Sequence, residues 1–158
     1  MKKTTAALAC AILSLWLSRS TFAAVVSRPD FFELRSAIEA GGLVQLKFDG
    51  TVTFTTEVKV GNAEIDATGH SVKFDAGGSN RFFKVNGRLV IRSLEFENGS
   101  GFEGTNVKDW LGGAIQVNGG TLTVENCKFA NNRIIGRYYR GPDPFGIGQS
   151  TGNGLGGA

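Results

Sequence analysis

Cysteine is nearly missing from this chain, and the little there is cannot build a framework. Of two cysteines, Cys10 falls in an N-terminal leader and Cys127 is left alone, so no disulfide can form within one mature chain and the fold must be held by its core. Histidine is scarcer still: His70 stands alone in Thr68-Gly69-His70-Ser71 with no second ligand candidate nearby, which argues for a solvated turn residue and assigns no metal and no cofactor. There are only 3 prolines against 23 glycines, with 41% hydrophobic and 20% charged residues. That balance excludes a disordered tail and describes an ordered, turn-rich β protein. No GGxGxD repeat occurs, so calcium-loaded turns have no support.

A long apolar run is lacking too. Met1-Lys2-Lys3, an apolar stretch from Thr4 to Leu17, and Thr21-Phe22-Ala23 form a signal peptide over residues 1–23, too short and wrongly flanked for a retained membrane helix. Cleavage after Ala23 and export to the periplasm, the medium or the cell surface are expected. Cleavage removes three of the 17 basic residues (Lys2, Lys3 and Arg19) and none of the 14 acidic ones. The formal charge of +3 therefore disappears, and with it any case for nucleic acid as a partner.

Residues 24–42 read as an N-terminal capping segment. Asp30 can cap a helix, Glu33 can complete a capping box, Phe31, Leu34 and Ile38 share one face, and Gly41-Gly42 ends it. From residue 43 to 158 the period is two: Val44, Leu46 and Phe48; Val52 and Phe54; Val58 and Val60; Ile65; Val72 and Phe74, each run closed by Gly, Asn or Asp. Short strands at this spacing also suit a sandwich or a barrel. Repetition separates these. Residues 88–99 lie over 121–132 without a gap, placing Leu89 on Leu122, Ile91 on Val124, Leu94 on Cys127 and Phe96 on Phe129. Ile115, Val117, Leu122, Val124, Cys127 and Phe129 are expected inside, Gln116, Thr121, Thr123 and Lys128 outside, and Asn126 and Asn131-Asn132 at corners. The repeat of about 33 residues exceeds a simple coil by a polar excursion over residues 100–110; a second excursion covers residues 134–153.

The motif Gly112-Gly113-Ala114-Ile115, followed by Phe129-Ala130-Asn131-Asn132, resembles the GGA-I and F-x-x-N repeats of polymorphic outer-membrane proteins and related adhesin-like passengers. The earlier copy, Phe96-Glu97-Asn98-Gly99, has its Asn one place early. The resemblance implies an all-β, right-handed parallel β-helix with a short amphipathic capping helix, its structural repeat carried by Gly112, Gly113, Ala114, Ile115, Phe129 and Asn132. Gly156-Gly157-Ala158 echoes the repeat, so the chain reads as a fragment with further coils expected C-terminally.

The same scaffold hosts polysaccharide lyases and hydrolases, whose chemistry needs clustered carboxylates. Here the candidates Asp66, Asp75, Glu95, Glu97 and Asp109 are scattered, with Asp66 and Asp75 at strand ends beside turns; no residue is assigned a catalytic role. Cys127 reads as a small buried hydrophobe rather than a nucleophile, and Asn98-Gly99-Ser100 fits a glycosylation sequon. Arg137, Tyr138, Tyr139, Arg140 and Phe145 on the second excursion and Trp110 on the first suit contact with an extracellular glycan or protein, since rigid rings bury area at low entropic cost. The expected function is a non-catalytic, adhesin-like surface segment; the alternative is the N-terminal part of a pectate-lyase-like enzyme whose site lies beyond Ala158.

Overall fold

A computed structural model describes residues 23–101 and 112–134; residues 1–22 of the expected leader, Trp110, Asp109, the cluster from Arg137 to Phe145 and the echo at Gly156 to Ala158 lie outside them. The chain is mostly β, with parallel sheets and one short helix. A first strand, β1 (Ala24–Val26), precedes helix α1 (Phe31–Ala40), so the capping segment holds an edge strand that the sequence pattern does not reveal. Asp30 caps α1 by accepting the Glu33 N–H at 2.9 Å. Glu33 does not complete the box. The Asp30 N–H is already donated to the Arg28 carbonyl, and Glu33 accepts instead from Arg28 Nε at 3.1 Å. Gly41 ends the helix at φ 82°, its N–H reaching the Ile38 carbonyl, as the left-handed region favours glycine there. Phe31, Leu34 and Ile38 are buried against β1, β2 (Gly42–Leu46) and β4 (Val58–Asp66). Among the described residues no helix is long and apolar enough to cross a membrane.

The remaining strands are β3 (Gly50–Thr53), β5 (Val72–Asp75), β6 (Phe83–Arg92), β7 (Leu94–Glu97), β8 (Ser100–Gly101), β9 (Ile115–Val117), β10 (Thr121–Glu125), β11 (Lys128–Ala130) and β12 (Arg133–Ile134). The first sheet runs β1-β2-β4-β6-β10 with β9 also on β6, the second β3-β5-β7-β11, and the third joins β8 to β12; every pair is parallel. Parallel neighbours need crossovers: α1 joins β1 to β2; β3 and β5 of the second sheet join β2 to β4 and β4 to β6; and from β6 the chain passes through the second sheet and then the third before returning to the first. Gly61 and Gly87 do not break strands as expected; β4 and β6 run through them with a register shift between Val60 and Asn62. At Gly87 glycine is needed for close approach, since a Cβ there would lie 2.0 Å from the Gly61 carbonyl oxygen, as one on Gly120 would lie 2.1 Å from that of Gly87, whereas a Cβ on Gly61 would meet nothing within 4 Å.

The register pairs Leu89 with Leu122, Ile91 with Val124 and Phe96 with Phe129, as the repeat alignment predicts. Inward residues stack in columns between the sheets, the clearest being Phe31, Phe54, Phe74, Phe96 and Phe129, with successive ring centroids 5.1, 4.9, 5.5 and 4.8 Å apart. Each such pair adds about 0.5–1.5 kcal/mol beyond area burial. In the last strands the inward pattern holds but burial does not. Val117 is 43% and Val124 39% exposed, while Ile115, Leu122, Cys127 and Phe129 are half-buried, because among the described residues β10 and β11 have a neighbour on one side only. Gln116, expected at the surface, is buried; the register sets it beside the half-buried Lys84.

Candidate functional site

The two sequence motifs meet in space. Gly112, at φ 73°, closes a turn in which a Cβ would stand 2.1 Å from the Ile115 carbonyl oxygen, a place only glycine can fill. Gly113 passes against the Arg133 backbone, the Ala114 carbonyl accepts the Phe82 N–H at 2.9 Å, and Ile115 pairs with Phe83. Opposite them Phe129 stacks on Phe96 at an interplanar angle of 9°. Asn132 is not a corner residue. It is buried, its Oδ1 accepting the Gly99 N–H at 2.7 Å and its Nδ2 donating to the Phe96 carbonyl at 3.0 Å; the corners are Asn98, Asn126 and Asn131, all at φ 54–58°. Gly112, Gly113, Ala114, Ile115, Phe129 and Asn132, with Leu122, line one cavity of about 220 Å³. Its only side-chain amide is spent on backbone, so the cavity holds the stack together and offers no acid, base or nucleophile.

The outward carboxylates are likewise engaged. Asp66 accepts the Thr68 N–H at 2.8 Å, and hydrogen bonding to Thr68 holds its carboxyl below the usual aspartate range. Asp75 accepts from the Gly77 N–H at 2.8 Å and Asn98 Nδ2 at 3.1 Å. Both are turn-closing aspartates, as their position at strand ends implies. On the second sheet Lys73 lies 2.8 Å from Glu97 and 4.0 Å from Glu95, and Lys128 2.8 Å from Glu95. The Lys128 bond lowers the Glu95 carboxyl, and the Glu97 bond raises the Lys73 ammonium. On the first sheet Arg92 bridges Glu64 and Glu125, which raises its guanidinium further. These are cross-strand ladders: Lys73–Glu95, Lys128–Glu95 and Arg92–Glu125 join residues in register, and Lys73–Glu97 and Arg92–Glu64 join diagonal neighbours. Among the described residues no three His, Cys, Asp or Glu side chains gather as metal ligands. Cys127 is half-buried rather than fully inside; desolvation pushes its thiol upward, which keeps it a poor nucleophile. The sequon amide of Asn98 is tied to Asp75.

Sequence reasoning missed a groove at the corner between the first and second sheets. The turn Ala67-Thr68-Gly69-His70-Ser71 joins β4 to β5, whereas the following tiers turn through Ser93 alone between β6 and β7 and, in line with it, through Asn126 after β10. The longer turn overhangs the shorter ones. His70, Ser71, Ser93, Glu95, Asn126 and Lys128 line the resulting space of about 370 Å³. The mismatch in turn length was the available signal.

In the third sheet β8 and β12 pair with Arg133 opposite Ser100 and Ile134 opposite Gly101, so Gly101 and Ile134 lie at neighbouring strand ends, one strand spacing of about 4.8 Å apart. The chain matches no family model, no curated protein and no solved structure. The likeness to the outer-membrane passenger repeats therefore rests on the two motifs themselves, whose residues the structure gathers around one cavity. The loop residues Trp110, Arg137, Tyr138, Tyr139, Arg140 and Phe145 lie outside the described residues.

Proposed function

We propose that this chain is an exported, adhesin-like segment of a right-handed parallel β-helix, akin to the passenger repeats of polymorphic outer-membrane proteins, which binds an extracellular glycan or protein through its two excursions and catalyses nothing. The observation that carries this reading is the pairing of β8 with β12. It sets Gly101 and Ile134, the described residues after which the Trp110-bearing and Tyr138-Tyr139-bearing segments follow in sequence, side by side, which supports a shared binding surface. Loops of stacked repeats that issue from one side are where such proteins place their contacts. The non-catalytic part is supported by the carboxylates: Asp66 and Asp75 close turns, and Glu95 and Glu97 sit in ion-pair ladders, so that these four candidates are engaged in structure rather than converging as acid and base.

The test uses the exported chain and two variants, Trp110→Ala and Tyr138→Ala/Tyr139→Ala, on arrays of matrix proteins and glycans. Loss of about tenfold in affinity with unchanged melting supports the reading. Metal-dependent cleavage of a pectin-like acidic polysaccharide, abolished by Asp66→Asn or Asp75→Asn, would replace it with the enzymatic one.

A further inference from the structure

The groove under the His70 turn is lined by polar groups, only some of which the fold engages. Among the described residues the Ser71 hydroxyl and the Asn126 amide have no hydrogen-bond partner, and the His70 ring spends only Nδ1, 3.7 Å from Asp49 Oδ1. The Ser93 hydroxyl reaches only Thr68 Oγ1, at 3.4 Å. The far wall is the Glu95–Lys128 pair at 2.8 Å. Glu95 also lies 4.0 Å from Lys73, and no metal-ligand cluster forms there among the described residues. What it offers is a mixed row of donors and acceptors. Ser93 and Asn126 occupy equivalent corner positions on adjacent tiers, one strand spacing of about 4.8 Å apart, under a lip supplied by His70 and Ser71.

We infer that this corner groove binds a neutral, hydroxyl-rich sugar unit of a glycan chain. A volume of about 370 Å³ falls at the small end of ligand sites. Hydroxyls that both donate and accept match an amide, two serine hydroxyls and an imidazole better than any single-charge ligand would. The inference rests on the binding reading above, narrows its partner to a glycan, and adds a contact on the sheet corner to those on the excursions.

Neutral oligomers of glucose, mannose, galactose and N-acetylglucosamine, observed by saturation-transfer NMR against the exported chain, test it. Ser71→Ala/Asn126→Gly removes two groove groups, and glycine keeps the positive φ of 54° at residue 126 without strain. That variant, and separately the half-exposed His70→Ala, should weaken a bound oligomer about tenfold, while Lys59→Ala, exposed on β4, leaves it unchanged. Backbone amide spectra confirm that each variant is folded. Binding that survives the groove variants but falls with Trp110→Ala overturns the groove and leaves the excursions standing. Binding of uronate oligomers alone overturns the neutral-sugar assignment. Absence of any sugar binding, with protein-array binding retained, removes the groove but not the surface-binding reading; absence of both removes the two together.

Discussion

Asn132 does at one residue what the repeat requires of a whole corner. Its amide satisfies a buried donor, the Gly99 N–H, and a buried acceptor, the Phe96 carbonyl, in the tier beneath. The glycine at 99 belongs to the same device: a Cβ there would lie 2.6 Å from Asn132 Oδ1 and 2.9 Å from the Gly113 carbonyl oxygen. The departure of Phe96-Glu97-Asn98-Gly99 from the F-x-x-N pattern thus has a steric reason, since the asparagine of the next copy fills the space. Asn132→Ala leaves two buried backbone groups without partners and should lower stability in urea by about 2–4 kcal/mol. Gly99→Ala should cost about 1–3 kcal/mol through overpacking. Because both substitutions act on one contact, the double variant should depart from additivity by at least about 0.5 kcal/mol. Strict additivity in a double-mutant cycle would show that residues 99 and 132 stabilise the fold independently.

At the scale of the element, the ladders on the second sheet set a pH dependence. Glu95 titrates below its ordinary range because it is bonded to Lys128, so its contribution is present above the unfolded-state value and is lost as pH falls below about 4. Lys73 titrates above its ordinary range because it is bonded to Glu97, so its contribution is complete below about pH 10 and lost as pH rises further. Unfolding midpoints measured across pH should show a plateau with a shallow fall at each end. Glu95→Gln should flatten the acid limb and Lys73→Met the alkaline one; both effects shrink in high salt, since these side chains are 29% and 36% exposed. The helix face and the inward residues of the strands were legible because alternation and 3.6-residue spacing are local properties of the chain. What stayed hidden is set between tiers. The continuity of β4 and β6 through Gly61 and Gly87 depends on which backbone lies next door, the edge strand at Ala24–Val26 depends on having β2 to pair with, and the His70 groove depends on comparing one turn with the turn stacked above it.

Across the described residues each strand pairs only with its neighbours in the sheet order, so stability is not uniform along the sheets. β4 and β6 lie in the middle of the first sheet with partners on both sides, and their inward residues Val58, Val60, Ile65, Phe83, Val85, Leu89 and Ile91 are fully buried. On the N-terminal side α1 covers the stack with Phe31, Leu34 and Ile38. On the other side β10 and β11 have one partner each among the described residues, and Val124, in register with the buried Ile91, is 39% exposed. Opening should therefore start at the β10–β11 tier and move toward the helix. Native-state amide exchange checks this: the amides of β4 and β6 should exchange slowest, those of β2 next, and those of β10 and β11 fastest. Phe74→Ala, which cuts the ring column in its middle, should speed exchange throughout, whereas Phe129→Ala, at the half-buried end of the column, should speed it mainly in β10 and β11. Equal protection in β4 and β10 would mean instead that the whole stack opens as one cooperative unit.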